Sequence, residues 1–338
     1  MSKVGVLLIN LGTPDSPLPS SVYLYLKQFL NDPRVIDLPG LLRYFLVNWL
    51  IVPTRYKKSA HAYQQIWTEN GSPLLLNTEH LRKLVSEELG DAFQVEVCMR
   101  YGNPSIESVV KKLEHCLKII AIPLFPQYAS AANGSAVEEL LRVISSQWNI
   151  PEIVVLRDFY NHPAFIKAYA ATIKDHLAQK QVDMLVMSYH GLPERHINKS
   201  KCVAKCSRVN ACPPLSADNA YCYRAQCYET SRLLANELAL NESQFLVTFQ
   251  SRLGRTPWIQ PYTDIQLPVL AKRGIKNIAI VCPSFVSDCL ETLEEINIRA
   301  REQWHELGGK EFTFIPCINA HPLWAQGVAE MVKMHHLG

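Results

Sequence analysis

Neither G-x-G-x-x-G nor G-x-x-x-x-G-K-[ST] occurs anywhere in the 338 residues. A nucleotide site would therefore lack the glycines that let backbone amides cradle phosphate. Charge is thin as well. The 34 basic residues are nearly matched by 31 acidic ones, leaving a net +3, and the basic residues are dispersed, which argues against nucleic acid as the partner. Low-complexity tracts are absent. The longest apolar stretch, LLRYFLVNWLIVP at 41–53, is interrupted by Arg43 and Asn48 and closed by Pro53, too short to span a bilayer. It reads either as an ordinary core helix or as an amphipathic lip that takes an apolar ligand or touches a membrane surface. Residues 1–15 contain no long apolar h-region and no small-residue cleavage site, so they read as a first β-strand and place the chain in the cytoplasm.

Also missing is any C-x2-C pair, the unit from which zinc knuckles and ribbons are built. Cysteine itself is plentiful, with ten in all, and five of them lie between Cys202 and Cys227 in the pattern C-x3-C-x5-C-x9-C-x4-C. Without an export signal, such a group reads as metal or iron–sulfur ligation before disulfides. Four thiolates on an irregular loop suit a [2Fe–2S] cluster, and a structural Zn2+ is the alternative. Arg195, Lys199, Lys201, Lys205 and Arg208 flank the group and would offset the negative charge of a thiolate–iron centre.

What is present is an α/β pattern. The composition is 48% hydrophobic and 19% charged, enough for a large core. Strand-like runs at Val4–Ile9, Gln94–Cys98, Lys118–Pro123, Ile153–Leu156, Met184–Met187, Phe245–Phe249 and Ile278–Cys282 alternate with helical periodicity, which predicts parallel sheets. The pattern is also doubled. VGVLLINLGTP (4–14) matches MLVMSYHGLPE (184–194), EVCMRYGNPSIESVVKKL (96–113) matches 246–274, and KIIAIPLFPQYASAANGSAVEELL (118–141) matches KNIAIVCPSFVSDCLETLEEI (276–296). Three pairs in the same order predict two related α/β lobes with a cleft between their strand ends. The expected divisions are 1–157, 158–319 and a C-terminal helix at 320–338 that packs back on the first lobe.

Chemistry concentrates at a few places. SYHGLPERH (188–196) follows the apolar run ending at Met187, so His190 stands at the carboxyl end of a central strand, where open α/β sheets bind ligands. In SDCLETLEEINIR (287–299), an α-helix would bring Asp288, Glu291 and Glu295 to one face at i, i+3 and i+7. Such acids attract and desolvate a cation or pass protons along a line. A capping box is the plainer account of Asp288 and Glu291. LGRTPWIQPYT (253–263) sets Trp258 and Tyr262 in a loop after a strand, and AYQQIWTENGSPL (62–74) offers Tyr63 and Trp67. Flat aromatic side chains of this kind suit a flat apolar ligand or the core.

Seven segments together resemble the ferrochelatases: LINLGTP (8–14), YQQIWTENGSPL (63–74), MRYGNPSIES (99–108), PLFPQYASAANGS (123–135), SYHGLPERH (188–196), TFQSRLGRTPWIQPYTD (248–264) and CPSFVSDCLETLEEI (282–296). The resemblance implies two Rossmann-like lobes around a porphyrin cleft, and insertion of Fe2+ into protoporphyrin IX as the last step of haem synthesis, a lyase reaction. It implies that His190 faces the macrocycle with Glu291 across from it, and that Glu295 continues an acidic line. Arg299 stands where some members carry a further acid. The porphyrin contacts it implies are Leu11, Tyr63, Ser72, Arg100, Tyr101 and Trp258. Vertebrate-type members take [2Fe–2S] ligands from the loop after PQY and from beyond the last lobe, but here Ser130 stands in that loop and no cysteine follows Cys317. The cysteines lie instead in an insertion after SYHGLPERH, as in some bacterial members. Because Tyr223-x3-Cys227 also occurs in cluster-free relatives, the implied ligands are Cys202, Cys206, Cys212 and Cys222, with Cys227 as the alternative. Competing readings are a coproporphyrin or cobalt chelatase of the same fold, and a haem- or metal-binding module without turnover. Peripheral contact with the inner membrane face would suit the apolar lip.

Overall fold

The computed structural model describes residues 3–200, 212–254 and 256–337. They form two compact units. The first comprises the described residues up to Phe125, Ala129–Asp158 and the segment from Ala320, and the second comprises Pro126–Tyr128 and the described residues from Phe159 to Asn319.

Each unit is built on one four-stranded parallel sheet. In the first, β1 (Val4–Thr13), β2 (Phe93–Gly102), β3 (Lys118–Pro123) and β4 (Glu152–Val155) lie in the order β2-β1-β3-β4. In the second, β5 (Met184–His190), β6 (Phe245–Gln250), β7 (Asn277–Val281) and β8 (Glu311–Phe314) lie in the order β6-β5-β7-β8. The α/β class, the parallel strands and the doubling expected from the sequence are therefore all present. In each sheet the chain steps from its first strand to one neighbour and then reverses. That puts the topological switch point, the usual ligand address, at the carboxyl ends of β1 and β3 and of β5 and β7.

All seven anticipated runs became strands. β8 was not anticipated, because Glu311-Phe312-Thr313-Phe314 is four residues at a sheet edge, too short for its alternation to stand out. The central strands read as continuous apolar runs because both of their faces are covered: Val6, Leu7, Leu8 and Ile9 of β1 are fully buried. Leu7, Ile9, Ile119 and Ala121 pack with Val109, Leu140 and Ile144 from the helices of the first unit. Met184, Val186, Ile278 and Ile280 pack with Leu267, Leu270 and Trp304 in the second. Helix Pro322–Leu337 belongs to the first unit, where it lies against helix Pro73–Leu89 and Lys333 Nζ donates to the Glu88 carbonyl at 3.0 Å.

Two glycines are demanded where β1 and β2 end. Gly12 has φ +123°, and a Cβ there would sit 1.8 Å from the Tyr101 carbonyl oxygen. Gly102 has φ +80°, with the Thr13 carbonyl 2.6 Å from the corresponding position. No other residue tolerates both the positive φ and the approach of a neighbouring backbone.

The stretch at 41–53 is not an ordinary core helix. Residues Gly40–Phe45, a π-helical turn Leu46–Ile51 and Val52–Ile66 run on as one helical segment. Val47 and Val52 face the core, while Leu41, Leu42, Tyr44, Phe45, Trp49 and Leu50 are exposed, Trp49 to 74%. Among the described residues no helix is long and apolar enough to cross a membrane.

Candidate active site

His190 is the last residue of β5, paired with Gln250 at the end of β6. Its ring is half-buried, with Phe285 at 6.1 Å in an edge arrangement. Nδ1 lies 2.6 Å from the Gly191 carbonyl oxygen. A carbonyl only accepts, so Nδ1 carries the hydrogen and the neutral ring presents its lone pair at Nε2. The chain can turn so tightly here because residue 191 is glycine: a Cβ would lie 2.7 Å from the Gln250 carbonyl and 3.3 Å from the Trp258 ring.

The acidic segment differs from the expected α-helix. Helical geometry begins at Leu290, and Glu291–Ala300 is π-helical before continuing as α-helix through Arg301–Glu306. A π-helix bonds i to i+5, so Glu291 and Glu295 remain neighbours along one face, while Asp288 precedes the helix. Asp288 is buried and engaged as a brace. Its carboxylate accepts from Thr292 Oγ1 at 2.9 Å, the Cys317 amide at 3.2 Å and Asn319 Nδ2 at 2.7 Å. It does not form the capping box that its spacing to Glu291 offered: its carboxylate is taken by Thr292, Cys317 and Asn319, and its own amide donates to Asn319 Oδ1 at 2.8 Å.

Glu291 is half-buried, and its main-chain carbonyl accepts from Gln250 Nε2 at 2.8 Å. The same Gln250 side chain accepts from Ser188 Oγ at 2.7 Å, so one buried amide ties β5, β6 and the start of the π-helix together. Glu295 accepts from the Ser251 amide at 2.8 Å and from Ser251 Oγ at 2.5 Å. Ser251 has φ +66°, a strained value for a non-glycine residue, and the two bonds to Glu295 hold it there. Burial raises the Glu295 carboxyl above the ordinary glutamate range, against the pull of the Ser251 donors and of positive charge at His190 and Arg299. His190, Glu291, Glu295, Gln250 and Ser251 thus gather at the carboxyl edge of the second sheet. Trp258 is half-buried beside them. Its Nε1 donates to the Leu253 carbonyl at 2.9 Å, and Tyr262 Oη donates to the Trp258 carbonyl at 3.0 Å.

The first unit holds the other residues singled out from the sequence. Leu11 is half-buried near the end of β1, and Ser72 is buried just before helix Pro73–Leu89. Tyr63 is buried in an aromatic group, its ring edge-on to Tyr25 at 6.3 Å and Trp67 at 6.2 Å. Arg100 and Tyr101 close on a buried carboxylate, Asp32. Arg100 Nη2 donates at 2.7 Å, Tyr101 Oη at 2.8 Å, Ser135 Oγ at 2.5 Å and the Arg34 amide at 2.7 Å. Burial alone would raise the Asp32 carboxyl. The Ser135, Arg34 and Tyr101 hydrogen bonds and the Arg100 charge outweigh it and hold the group below the usual range. Tyr101, only 1% exposed, has its hydroxyl engaged in that network.

Over residues 3–336 the sequence matches the family model described as Ferrochelatase. A ferrochelatase of Coxiella burnetii (strain Dugway 5J108-111) is 51% identical over 335 residues, 98% of this chain and 94% of that one. A ferrochelatase of Legionella pneumophila (strain Lens) is 51% identical over 329 residues, 97% of this chain and 98% of that one. The chain belongs to the ferrochelatase family. The fold agrees with chelatase structures at much lower identity: SirB from Bacillus subtilis with Fe3+ superposes at a TM-score of 0.54 and 14% identity, covering 98% of this chain and 94% of the other.

In this ferrochelatase-family chain the cysteine group is described in part. Cys202 and Cys206 lie outside the described residues. Cys212, Cys222 and Cys227 are buried, and the Arg224 guanidinium, itself 2% exposed, donates from Nη1 to Cys212 Sγ at 2.8 Å. Burial pushes the Cys227 thiol well up, despite the neighbouring Tyr223 hydroxyl and the Arg224 charge. Among the described residues no three His, Cys, Asp or Glu side chains form a metal-binding group.

Sequence reasoning did not single out Gln250, Ser251, Ser284 or Asp32, and it named Tyr223 only as part of the Tyr223-x3-Cys227 motif. Gln250 ends β6 beside β5 and Ser251 follows it, so their address matched that of His190. The signal existed, but a Gln-Ser dipeptide carries no charge to attract notice. Asp32 left no such trace, because its donors come from positions 68, 69 and 103 residues away.

Proposed function

We propose that this chain inserts Fe2+ into protoporphyrin IX with release of two protons, a lyase reaction that yields protohaem. The observation that carries the reading is the His190 imidazole. Its Nδ1–H is tied to the next carbonyl, and Nε2 is left as a proton acceptor at the switch point of β5 and β7. Glu291 and Glu295 supply carboxylates on the π-helical face that begins just beyond β7.

Two pyrrole N–H protons must leave while a hydrated cation sheds water. A flat macrocycle hides its nitrogen lone pairs, so it must be held puckered, at about 1–5 kcal/mol drawn from binding of the rest of the ligand. His190 Nε2 takes a pyrrole proton, Glu295 balances the imidazolium that forms, and Glu291 guides and helps desolvate Fe2+. A carboxyl raised by burial holds or releases a proton nearer neutral pH than an ordinary glutamate, which suits Glu295 to pass the proton on. Leu11, Tyr63, Ser72, Arg100 and Trp258 are the proposed porphyrin contacts. Tyr101 acts through Asp32 and Arg100.

For the cysteine segment the proposed group is a [2Fe–2S] cluster on Cys202, Cys206, Cys212 and Cys222. The buried Arg224 against Cys212 is an electrostatic complement to a charged sulfur, and this supports the reading. Such a centre would supply structural or redox-sensing duty. Cys227, a strongly raised thiol beside Tyr223, is the poorer ligand.

One anaerobically purified preparation tests both readings. Incubated with Fe2+, it should convert the Soret band of protoporphyrin faster than that of coproporphyrin, and faster than with Co2+. Binding without conversion would leave only a binding module. The same protein should carry visible charge-transfer absorption and acid-labile sulfide. Stoichiometric zinc without sulfide would replace the cluster with a structural Zn2+.

The exposed apolar face at Leu41, Leu42, Phe45, Trp49 and Leu50, followed by exposed Arg55, Lys57 and Lys58, supports peripheral docking at the inner membrane face of the cytoplasm. Co-flotation with anionic vesicles should be lost in Leu41→Asp/Trp49→Asp. Equal flotation of both proteins would remove that face from the account.

A further inference from the structure

The peptide groups on both sides of His190 are held by side chains from elsewhere in the second unit. The amide of His190 donates to Ser284 Oγ at 2.9 Å, and its carbonyl accepts from Tyr223 Oη at 2.8 Å. The next amide, that of Gly191, donates to the Gln250 carbonyl at 2.8 Å. Ser284 follows β7, whereas Tyr223 opens the helix Tyr223–Glu237 directly after Cys222. The Tyr223 ring is buried.

Elementary donor and acceptor rules fix the sense of these bonds. A backbone N–H only donates and a carbonyl only accepts. Ser284 Oγ therefore receives the His190 N–H, and Tyr223 Oη gives its hydrogen to the His190 carbonyl. The result is a pair of bonds, one on each peptide plane that flanks His190. Such a pair restrains both backbone torsions of His190, since each flanking peptide plane is pinned. The second plane also fixes the start of Gly191, whose own φ and ψ then aim its carbonyl. That carbonyl, 2.6 Å from Nδ1, decides which ring nitrogen carries the hydrogen.

We propose that Tyr223 and Ser284 are positioning residues: a hydrogen-bonded clamp on the His190 backbone that selects the imidazole tautomer with its lone pair at Nε2. The proposal rests on the reading of His190 as proton acceptor. It adds that the acceptor is oriented by a hydroxyl pair outside the metal and porphyrin contacts. It also places the cysteine segment one residue from the clamp, through Cys222.

The test compares Tyr223→Phe and Ser284→Ala, each of which removes one hydroxyl, with the double variant. Loss of one buried hydrogen bond should lower kcat about 3- to 10-fold, with the porphyrin KM unchanged within about twofold. The double variant should fall below the poorer single one, because each bond pins a different peptide plane. Nitrogen-15 spectra of histidine-labelled protein supply the readout that general destabilisation would not move. His190→Ala assigns the His190 signals, which should report one Nδ1–H form in the parent and a mixture in either variant. Folded variants that keep the parent tautomer signals would overturn the clamp. Should Tyr223→Phe fail to fold, Ser284→Ala decides alone. If His190→Ala keeps its activity, the catalytic reading falls, and the tautomer signals still decide the clamp.

Discussion

Replacing His190 with alanine is expected to lower kcat for iron insertion by about 10²–10⁴-fold, the range for loss of a positioned general base. The porphyrin KM should change little, because the proposed macrocycle contacts lie on Leu11, Tyr63, Ser72, Arg100 and Trp258. The argument rests on geometry at one atom. Nδ1 is committed to the Gly191 carbonyl, so Nε2 is the ring's acceptor. Of the described side chains beside it, Glu295 is held by two bonds from Ser251, and that of Gln250 is tied to Ser188 and to the Glu291 carbonyl. The measurement is a steady-state assay of Soret conversion with Fe2+ and protoporphyrin. A variant within about threefold of the parent would remove His190 from the chemistry, since an effect that small matches only a lost hydrogen bond.

Asp32→Ala is expected to cost about 3–5 kcal/mol of stability, the typical price of breaking a buried ion pair from one side. Arg100, with its side chain 15% exposed, would lose its carboxylate, and the Tyr101 and Ser135 hydroxyls would lose their acceptor. Water reaching Arg100 places the effect toward the lower end. The pH dependence has a definite sign. The folded carboxyl lies below its ordinary value of 3.8, so the folded state favours the ionised form. That stability is fully present above about pH 4 and is lost as the pH falls through the folded value. Urea unfolding should therefore show a large gap between parent and variant at neutral pH that narrows toward pH 3. A gap below about 1 kcal/mol at neutral pH, or one that acid leaves unchanged, would show that the network contributes little through charge.

Particular residues show why some of this was legible beforehand. Strands buried on both faces must be apolar throughout, so β1 and β5 announced themselves as runs. Repetition of strand, turn and helix in three matched pairs foretold two sheets, and both have the same strand order. His190 was legible because a histidine followed by Gly-Leu-Pro ends a strand, and strand ends are where α/β sheets do chemistry. The acidic segment was legible only in part. Charge marked Glu291 and Glu295, but the expected 3.6-residue period misplaced Asp288, because hydrogen bonding in the fold chose a π-helix and drew Asp288 back to brace Cys317 and Asn319.

The sequence by itself determined the fold class, the family and the chemical types at the site, because periodicity, turn residues and motif order are local properties of the chain. Only the tertiary structure decided which groups are engaged and in what state. The Nε2 lone pair of His190, the raised carboxyl of Glu295 and the lowered one of Asp32 all follow from partners supplied by other elements. Desolvation and hydrogen-bond direction depend on what surrounds an atom in space, and spacing along the chain does not encode that.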